Sequence, residues 1–77
     1  MAFEIAPRIV VDKKVRFGRP VIKGTRVPVS VVLQELAAGA SIDEVVNEYG
    51  VNREDVFAVL QYAARVVGEE EIYVLAK

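Results

Sequence analysis

The sequence predicts a mainly α domain: a three-helix helix-turn-helix core with a short N-terminal β-hairpin and a C-terminal β segment. Apolar side chains recur at helical spacing between residues 28 and 67, where Ser41 and Asn52 stand at positions typical of helix N-caps. β-Branched residues cluster toward the two ends of the chain. The 77 residues are expected to form one domain, with a basic β segment at 1–27, the helical core at 28–67 and an acidic tail with a short strand at 68–77.

The N-terminal segment contains two stretches that favour extended structure. The sequence RIVV at 8–11 is β-branched and predicts a strand, which a polar turn follows at 12–14. Residues 21–22 face residues 25–27 across Lys23-Gly24, where the glycine can adopt the positive φ of a tight turn. A short local hairpin is therefore predicted there.

Three helices follow, and local signals mark their ends. The first is predicted to start near Pro28, which suits a first helical turn, and to end at a left-handed cap on Gly39. The second begins at Ser41, which can form a capping box with Glu44. Asn52 can cap the third. The broad buried face of the third helix is expected to contain five apolar side chains: Val56, Phe57, Leu60, Ala64 and Val67.

Composition argues against an enzyme. The chain has no cysteine and no histidine, so it lacks disulfides, thiolate metal ligands and the commonest general base. Its aspartates fall in turns or helix starts, and no carboxylate cluster, activated nucleophile or phosphate-cradling glycine loop is visible. We expect no metal, no cofactor and no small-molecule substrate. Glu4 near the start, and no apolar run of about 18 residues, predict a cytoplasmic protein without a membrane segment.

Hydrophobic residues make up 53% of the chain, above the roughly 45–50% usual for globular domains. In so short a chain this excess indicates an apolar face that a second copy covers. We therefore expect a homodimer whose contact uses the β-prone termini and part of the third helix.

The net charge is −1, but the charges are sorted along the chain. Residues 1–30 carry seven basic and two acidic side chains, a net +5, and residues 31–77 carry three basic and nine acidic ones, a net −6. This asymmetry indicates either two contact surfaces of opposite sign or two solvated faces that offset each other.

The second and third predicted helices have the layout of a homeodomain-like helix-turn-helix. Arg53 starts the last helix, but Glu54 and Asp55 beside it would face phosphate and oppose entry into a DNA groove. Phosphate contacts are therefore expected mainly from the basic N-terminal segment. The candidate nucleic-acid-binding residues are Lys13, Lys14, Arg16, Arg19, Lys23 and Arg53. Arg26 is instead expected to be a structural clamp on a carboxylate.

The tail, GEEEIYVLAK, begins at Gly68, where the third helix is predicted to end. Three glutamates precede a short β-prone run, which could add itself to the sheet edge of a partner with a basic surface. The candidate partner-binding residues are Glu69, Glu70, Glu71, Ile72, Tyr73 and Leu75. The alternative is an ordinary last strand that pairs with residues 8–11.

The stretch GRPVIKGTRVPVSVV at 18–32, with the helices after it, resembles the small bacterial and archaeal family numbered 433 among the domains of unknown function. The resemblance runs from about Ile9 into the tail. Its most specific part is the spacing of Gly18, Pro20, Gly24, Thr25, Arg26 and Pro28. The resemblance implies an antitoxin-like protein that binds and neutralises a PIN-like ribonuclease toxin and that could also contact operator DNA.

One feature departs from the family pattern. The family usually has Tyr-Pro and a longer link between the second and third helices, where this chain has YGVN at 49–52. The shorter link resembles the turn of ordinary DNA-binding helix-turn-helix proteins. A stand-alone helix-turn-helix transcriptional regulator is therefore the alternative function, and a neighbouring gene for a small nuclease would favour the antitoxin.

Overall fold

The structure is a computed structural model that describes residues 2–75, with side chains through residue 70. Over these residues the chain forms a three-stranded antiparallel sheet followed by three α-helices, which is an α+β fold. The prediction of a mainly α domain with a helix-turn-helix core is wrong. The segment before the helices is not an appended hairpin, because the sheet shares the hydrophobic core with the helices.

The sheet consists of β1 (Ala2–Ala6), β2 (Ile9–Asp12) and β3 (Val21–Ile22), with β2 in the centre. The strand predicted at 8–11 is confirmed as β2. The sequence analysis does not find β1, because this strand buries only Ala6 and forms by pairing with β2. β1 pairs with β2 across the two-residue turn at 7–8, and strand formation depends on such packing context more than on the propensity of the residues themselves.

The tight turn predicted at Lys23-Gly24 is present. Gly24 has a φ of +78°, and the Thr25 N–H donates to the Ile22 carbonyl oxygen at 3.0 Å. The Ile22 N–H in turn donates to the Val27 carbonyl oxygen at 3.0 Å. Apart from one isolated bridge, however, the returning residues add no strand to the described sheet, and β3 pairs with β2 instead. The predicted hairpin is therefore present only as a turn, and the strand before the turn, β3, pairs with the earlier strand β2.

The helices are α1 (Val29–Ala37), α2 (Ile42–Tyr49) and α3 (Arg53–Leu75). The limits of α1 agree with the sequence prediction, because Pro28 is its N-cap and Gly39 follows its end with a φ of +101°. None of the helices in residues 2–75 is long and apolar enough to cross a membrane.

Side-chain caps start α2 and α3, as the sequence predicts. The Ser41 N–H donates to Glu44 Oε1 at 2.8 Å, and the Glu44 N–H donates to Ser41 Oγ at 3.1 Å. Because the Ser41 backbone N–H donates to it, the Glu44 carboxylate has a pKa below its usual range. Asn52 and Asp55 form the same reciprocal pair at 3.1 and 2.9 Å. These bonds satisfy amides that have no partner inside the helices.

The third helix continues past Gly68 to Leu75, so both its predicted end and the predicted C-terminal β segment are wrong. An interior glycine costs a helix about 1 kcal/mol relative to alanine. The run of glutamates that follows favours helix, and no residue after Gly68 blocks its continuation. A last strand paired with residues 8–11 is wrong as well, because β1 and β3 occupy the two edges of β2.

The core lies between the sheet and the helices. Its fully buried side chains come from β2, β3 and every helix: Ile9, Ile22, Val32, Val45, Val56 and Val59. Of the five residues expected to form the buried face of the third helix, only Val56 is buried. The other four are exposed: Phe57, Leu60, Ala64 and Val67. The rotation of α3 about its axis therefore leaves an apolar stripe uncovered.

Candidate functional site

The first candidate site is the loop of residues 13–19 between β2 and β3, which we call the basic loop. Its own backbone folds it: the Val15 N–H donates to the Asp12 carbonyl oxygen at 2.9 Å, and the Gly18 N–H donates to the Val15 carbonyl oxygen at 3.2 Å. The Lys14 N–H donates to Asp12 Oδ1 at 2.9 Å. These bonds hold the loop as a compact turn at the end of β2.

Three consecutive residues of the basic loop have left-handed backbone. The φ angles are +53° at Arg16, +57° at Phe17 and +78° at Gly18. This conformation costs a residue with a side chain about 1–2 kcal/mol, so the turn is strained at two positions. Backbone strain of this kind concentrates at functional sites. Its consequence here is that the Phe17 side chain projects into solvent and is 97% exposed.

Phe17 is the candidate functional residue that the sequence analysis misses. It belongs to no helical or strand periodicity, and a single phenylalanine in a basic segment does not by itself predict a role. The one available signal is the order Arg16-Phe17-Gly18-Arg19, which places an aromatic ring between two cations beside a turn-forming glycine.

The basic loop brings together four of the six predicted nucleic-acid-binding residues, all of them exposed: Lys13, Lys14, Arg16 and Arg19. Lys23 lies at the opposite end of β2, because its N–H donates to the Arg8 carbonyl oxygen at 2.8 Å, just before that strand. Lys23 Nζ also donates to Glu4 Oε1 at 3.0 Å. The Arg8 backbone N–H first, and then the Lys23 ammonium, lower the pKa of Glu4.

Arg53, the sixth predicted residue, lies at the start of α3 and is engaged within the protein. Its Nη1 donates to Asp43 Oδ1 at 2.6 Å. Its guanidinium lies 5.7 Å from the centroid of the Phe57 ring. A phosphate would therefore compete with a carboxylate for this arginine.

The structural clamp predicted at Arg26 is found at Arg8 instead. Arg8 Nη1 donates to Asp55 Oδ1 at 2.9 Å and lies 3.5 Å from Asn52 Oδ1. Asp55 is only 9% exposed, so this pair ties the turn between β1 and β2 to the start of α3. Arg26 is exposed and forms no ion pair with a residue that the structure describes. The true pair joins residues 47 positions apart, a separation that leaves no local pattern.

The second candidate site is the α3 stripe, which consists of Phe57, Leu60, Ala64 and Val67. These residues are three, four and three positions apart, so they lie along one face of the helix. Phe57 is 44%, Leu60 37% and Val67 53% exposed. The same spacing forms the apolar seam of paired helices. The stripe can therefore receive a second helix or lie in an apolar groove.

The predicted partner-binding residues follow the α3 stripe on the same helix. Glu69 and Glu70 are exposed. The backbone of the next residues is helical, so they do not form the extended strand that the sequence predicts. The side chains of the remaining candidates lie outside the described part of the chain: Glu71, Ile72, Tyr73 and Leu75.

The two candidate surfaces offer different kinds of contact. No group of three or more His, Cys, Asp or Glu residues in the described part of the chain could hold a metal ion. The basic loop offers cations and an aromatic ring, and the α3 stripe offers apolar contact.

Comparisons with known proteins support the family resemblance. The crystal structure of Rv2018 from Mycobacterium tuberculosis is similar, with a TM-score of 0.63 and 36% sequence identity over 68% of this chain and 24% of that one. This chain thus spans about a quarter of the length of that protein. A search of the curated proteins found no match. The model of the family described as "Protein of unknown function (DUF433)" matches residues 9–63, and the chain therefore belongs to that family.

Proposed function

We propose that this protein is an antitoxin-like binding protein that neutralises a PIN-like ribonuclease toxin. The observation that carries the proposal is the α3 stripe, a row of exposed apolar side chains on a helix that continues into an acidic end. The class of toxin comes from the family resemblance, since members of the family are commonly encoded beside such an enzyme. The acidic end lies beyond the family match, where partner-specific contacts can vary.

Inhibition would follow from covering the enzyme. An amphipathic helix binds a partner by laying its apolar face into a hydrophobic groove. Phe57, Leu60 and Val67 would be the anchors, because burying their exposed surface drives association. Glu69 and Glu70 would meet the basic surface that a ribonuclease needs to hold RNA. The bound helix would exclude RNA, and this chain would carry out no chemical step.

A homodimer is part of the proposal. β1 is an edge strand of the described sheet, and Phe3 and Ile5 on it are 61% and 37% exposed. An open strand edge with apolar side chains favours pairing with a second copy. This edge lies on a different element from the α3 stripe, so one protomer can offer both contacts.

DNA binding is the second candidate function, either as an operator contact of the antitoxin or as the role of a stand-alone transcriptional regulator. The four exposed cations of the basic loop favour it. Because Arg53 at the start of α3 is held by Asp43 and lies against the Phe57 ring, the contact would be made to phosphates by the loop and not to bases by that helix. A homodimer would present two such loops to a two-fold operator.

The test is reconstitution with a PIN-like ribonuclease encoded beside this protein. The full chain should form a stoichiometric complex with the enzyme and suppress its cleavage of a labelled RNA. Leu60→Lys plus Val67→Lys should abolish both effects, because the contact would have to bury two charges. The control, Ser30→Lys plus Gln34→Lys, adds the same charge at exposed positions of α1 and should inhibit like the wild type.

Two results would refute the proposal. One is a ribonuclease that stays fully active in excess wild-type protein. The other is full inhibition by the stripe variant, which would show that the contact lies elsewhere.

A further inference from the structure

We infer that the basic loop binds single-stranded nucleic acid, with Phe17 stacked on a base and the surrounding cations on the phosphates. This inference goes beyond neutralisation of a toxin and does not depend on it. The charge, the exposed ring and the fixed shape of the loop each support it.

Among the residues that the structure describes, the charge of the basic loop has no ion-pair partner. Elsewhere, Arg8, Lys23 and Arg53 pair with carboxylates at 2.9, 3.0 and 2.6 Å. The four cations of the loop form no ion pair with any described residue: Lys13, Lys14, Arg16 and Arg19. Asp12 at the start of the loop accepts a hydrogen bond from the Lys14 backbone N–H. Four positive charges within seven residues fit a polyanion.

The ring of Phe17 distinguishes a nucleic acid from other polyanions. At 97% exposure it is the most solvated phenylalanine of the chain, compared with 61% for Phe3 and 44% for Phe57. Every nucleotide joins a phosphate to a flat base, and bases stack on exposed aromatic side chains. An acidic protein surface would satisfy the cations and leave the ring without a flat partner. A surface depression of about 250 Å³ lined by Arg16, Phe17 and Arg19 is where a base would lie.

The shape of the loop explains how it can bind with little loss of entropy. Left-handed backbone at residues 16–18 and the hydrogen bonds from Val15 and Gly18 hold the ring outward before any ligand arrives. A preformed contact avoids the cost of ordering a loop on binding. A single strand fits better than a duplex, because base pairs in a duplex keep their faces stacked on one another.

The first experiment measures binding of the full chain to a fluorescein-labelled oligothymidylate of about 12 nucleotides by anisotropy. Phe17→Ala should weaken binding about tenfold, the loss of one stacked base, and leave the salt dependence unchanged. Arg16→Gln plus Arg19→Gln should weaken binding and lower the log–log salt slope by about 0.7 for each lost phosphate contact. The control Gln34→Ala changes an exposed side chain of α1, away from both candidate sites, and should bind like the wild type.

The second experiment reports the stack directly. The chain contains no tryptophan, so Phe17→Trp supplies a single indole at the tip of the loop. Its emission should be quenched by the single strand and should remain unchanged with poly-glutamate of equal charge. Circular dichroism melting should show that Phe17→Ala and Phe17→Trp both fold, because the Phe17 side chain is almost fully exposed.

Three outcomes would overturn the inference. Wild-type affinity of Phe17→Ala would show that the ring makes no contact. Equal affinity for duplex and single strand without quenching would leave only phosphate binding. Quenching by poly-glutamate at the same concentration would make the loop a site for acidic proteins.

Discussion

The basic loop and the α3 stripe are both exposed, but different forces hold them in place. Hydrogen bonds among its own backbone groups shape the loop, and none of its residues is buried. The stripe lies on a helix whose other face places Val56 and Val59 in the core. The loop can therefore vary without disturbing the core, whereas the stripe has its orientation fixed by the core. The exposure of a side chain therefore does not by itself identify a binding residue. The contacts that hold its backbone in place must be known as well.

The largest expected effect tests the orientation of α3 with two adjacent residues. Val59→Ala should lower the free energy of unfolding by about 2 kcal/mol, because Val59 is fully buried and its truncation leaves a cavity. Leu60→Ala should lower it by only about 1 kcal/mol, because more than a third of this residue is already in water. Urea denaturation of both variants measures the difference. Equal losses would mean that the stripe is covered by the protein itself.

The next effect tests what joins the sheet to the helix that carries the stripe. Arg8→Ala should cost about 1–2 kcal/mol of unfolding free energy, because it leaves the nearly buried Asp55 without its ion-pair partner while the exposed arginine side limits the loss. Arg26→Ala should be neutral to within about 0.5 kcal/mol, since Arg26 is exposed. Thermal melting of the two variants shows which arginine stabilises the fold. A larger loss at Arg26 would restore the clamp that the sequence predicts.

Local features of this fold could be predicted from the sequence. The capping box at Ser41, the Asn52 cap and the glycine after α1 depend on residues within one turn of each other, and they are all present. The Arg8 to Asp55 pair joins residues 47 positions apart, so no local pattern predicts it. β1 pairs with β2 across the two-residue turn at 7–8, but only Ala6 on it is buried, so its own residues give little sign of a strand. The sheet therefore changes the fold class even though most of the helix limits are right.

The candidate sites show the same division. The cations of the basic loop could be predicted because charge is visible in the sequence, but the exposure of Phe17 comes from backbone angles that no pattern encodes. The sequence predicts the residues of the α3 stripe as core, because apolar residues on two faces of one helix cannot be assigned to core or surface before the packing is known. Val56 faces the core and Phe57 does not. Gly68 likewise predicts an end that the glutamates after it override.

A smaller effect compares the backbone of the basic loop with that of the α3 stripe by placing a glycine in each. Phe17→Gly should raise the unfolding free energy by roughly 0.5 kcal/mol, because relief of left-handed strain exceeds the entropy that glycine adds to the unfolded chain. Val67→Gly should lower it by roughly 0.5 kcal/mol, because glycine disfavours a helix interior. Chemical denaturation measures the sign of the change in unfolding free energy for both variants. A loss at Phe17 would show that its ring packs on the protein.

The last effect concerns α1 and α2, the two helices that pack against α3. The Tyr49 hydroxyl donates to Glu35 Oε1 at 2.8 Å and so ties α2 to α1. This hydrogen bond, and then partial burial of the ring, raise the pKa of Tyr49 to about 12, since ionisation would place a phenolate against a carboxylate. A pKa raised in the folded state contributes stability that is complete below the unfolded value of about 10 and is lost as pH rises toward 12.

Tyr49→Phe should therefore be less stable than the wild type near pH 8 to 9, and this difference should shrink as pH rises from about 10 to 12. Tyr62→Phe is the matched control, because Tyr62 lies under Arg65 at 5.6 Å and its hydroxyl makes no hydrogen bond to another helix among the described residues. Its melting temperature should follow the alkaline profile of the wild type. If the two variants showed the same profile, the hydroxyl of Tyr49 would not hold α1 to α2, and the packing of these helices behind the α3 stripe would rest on apolar contacts alone.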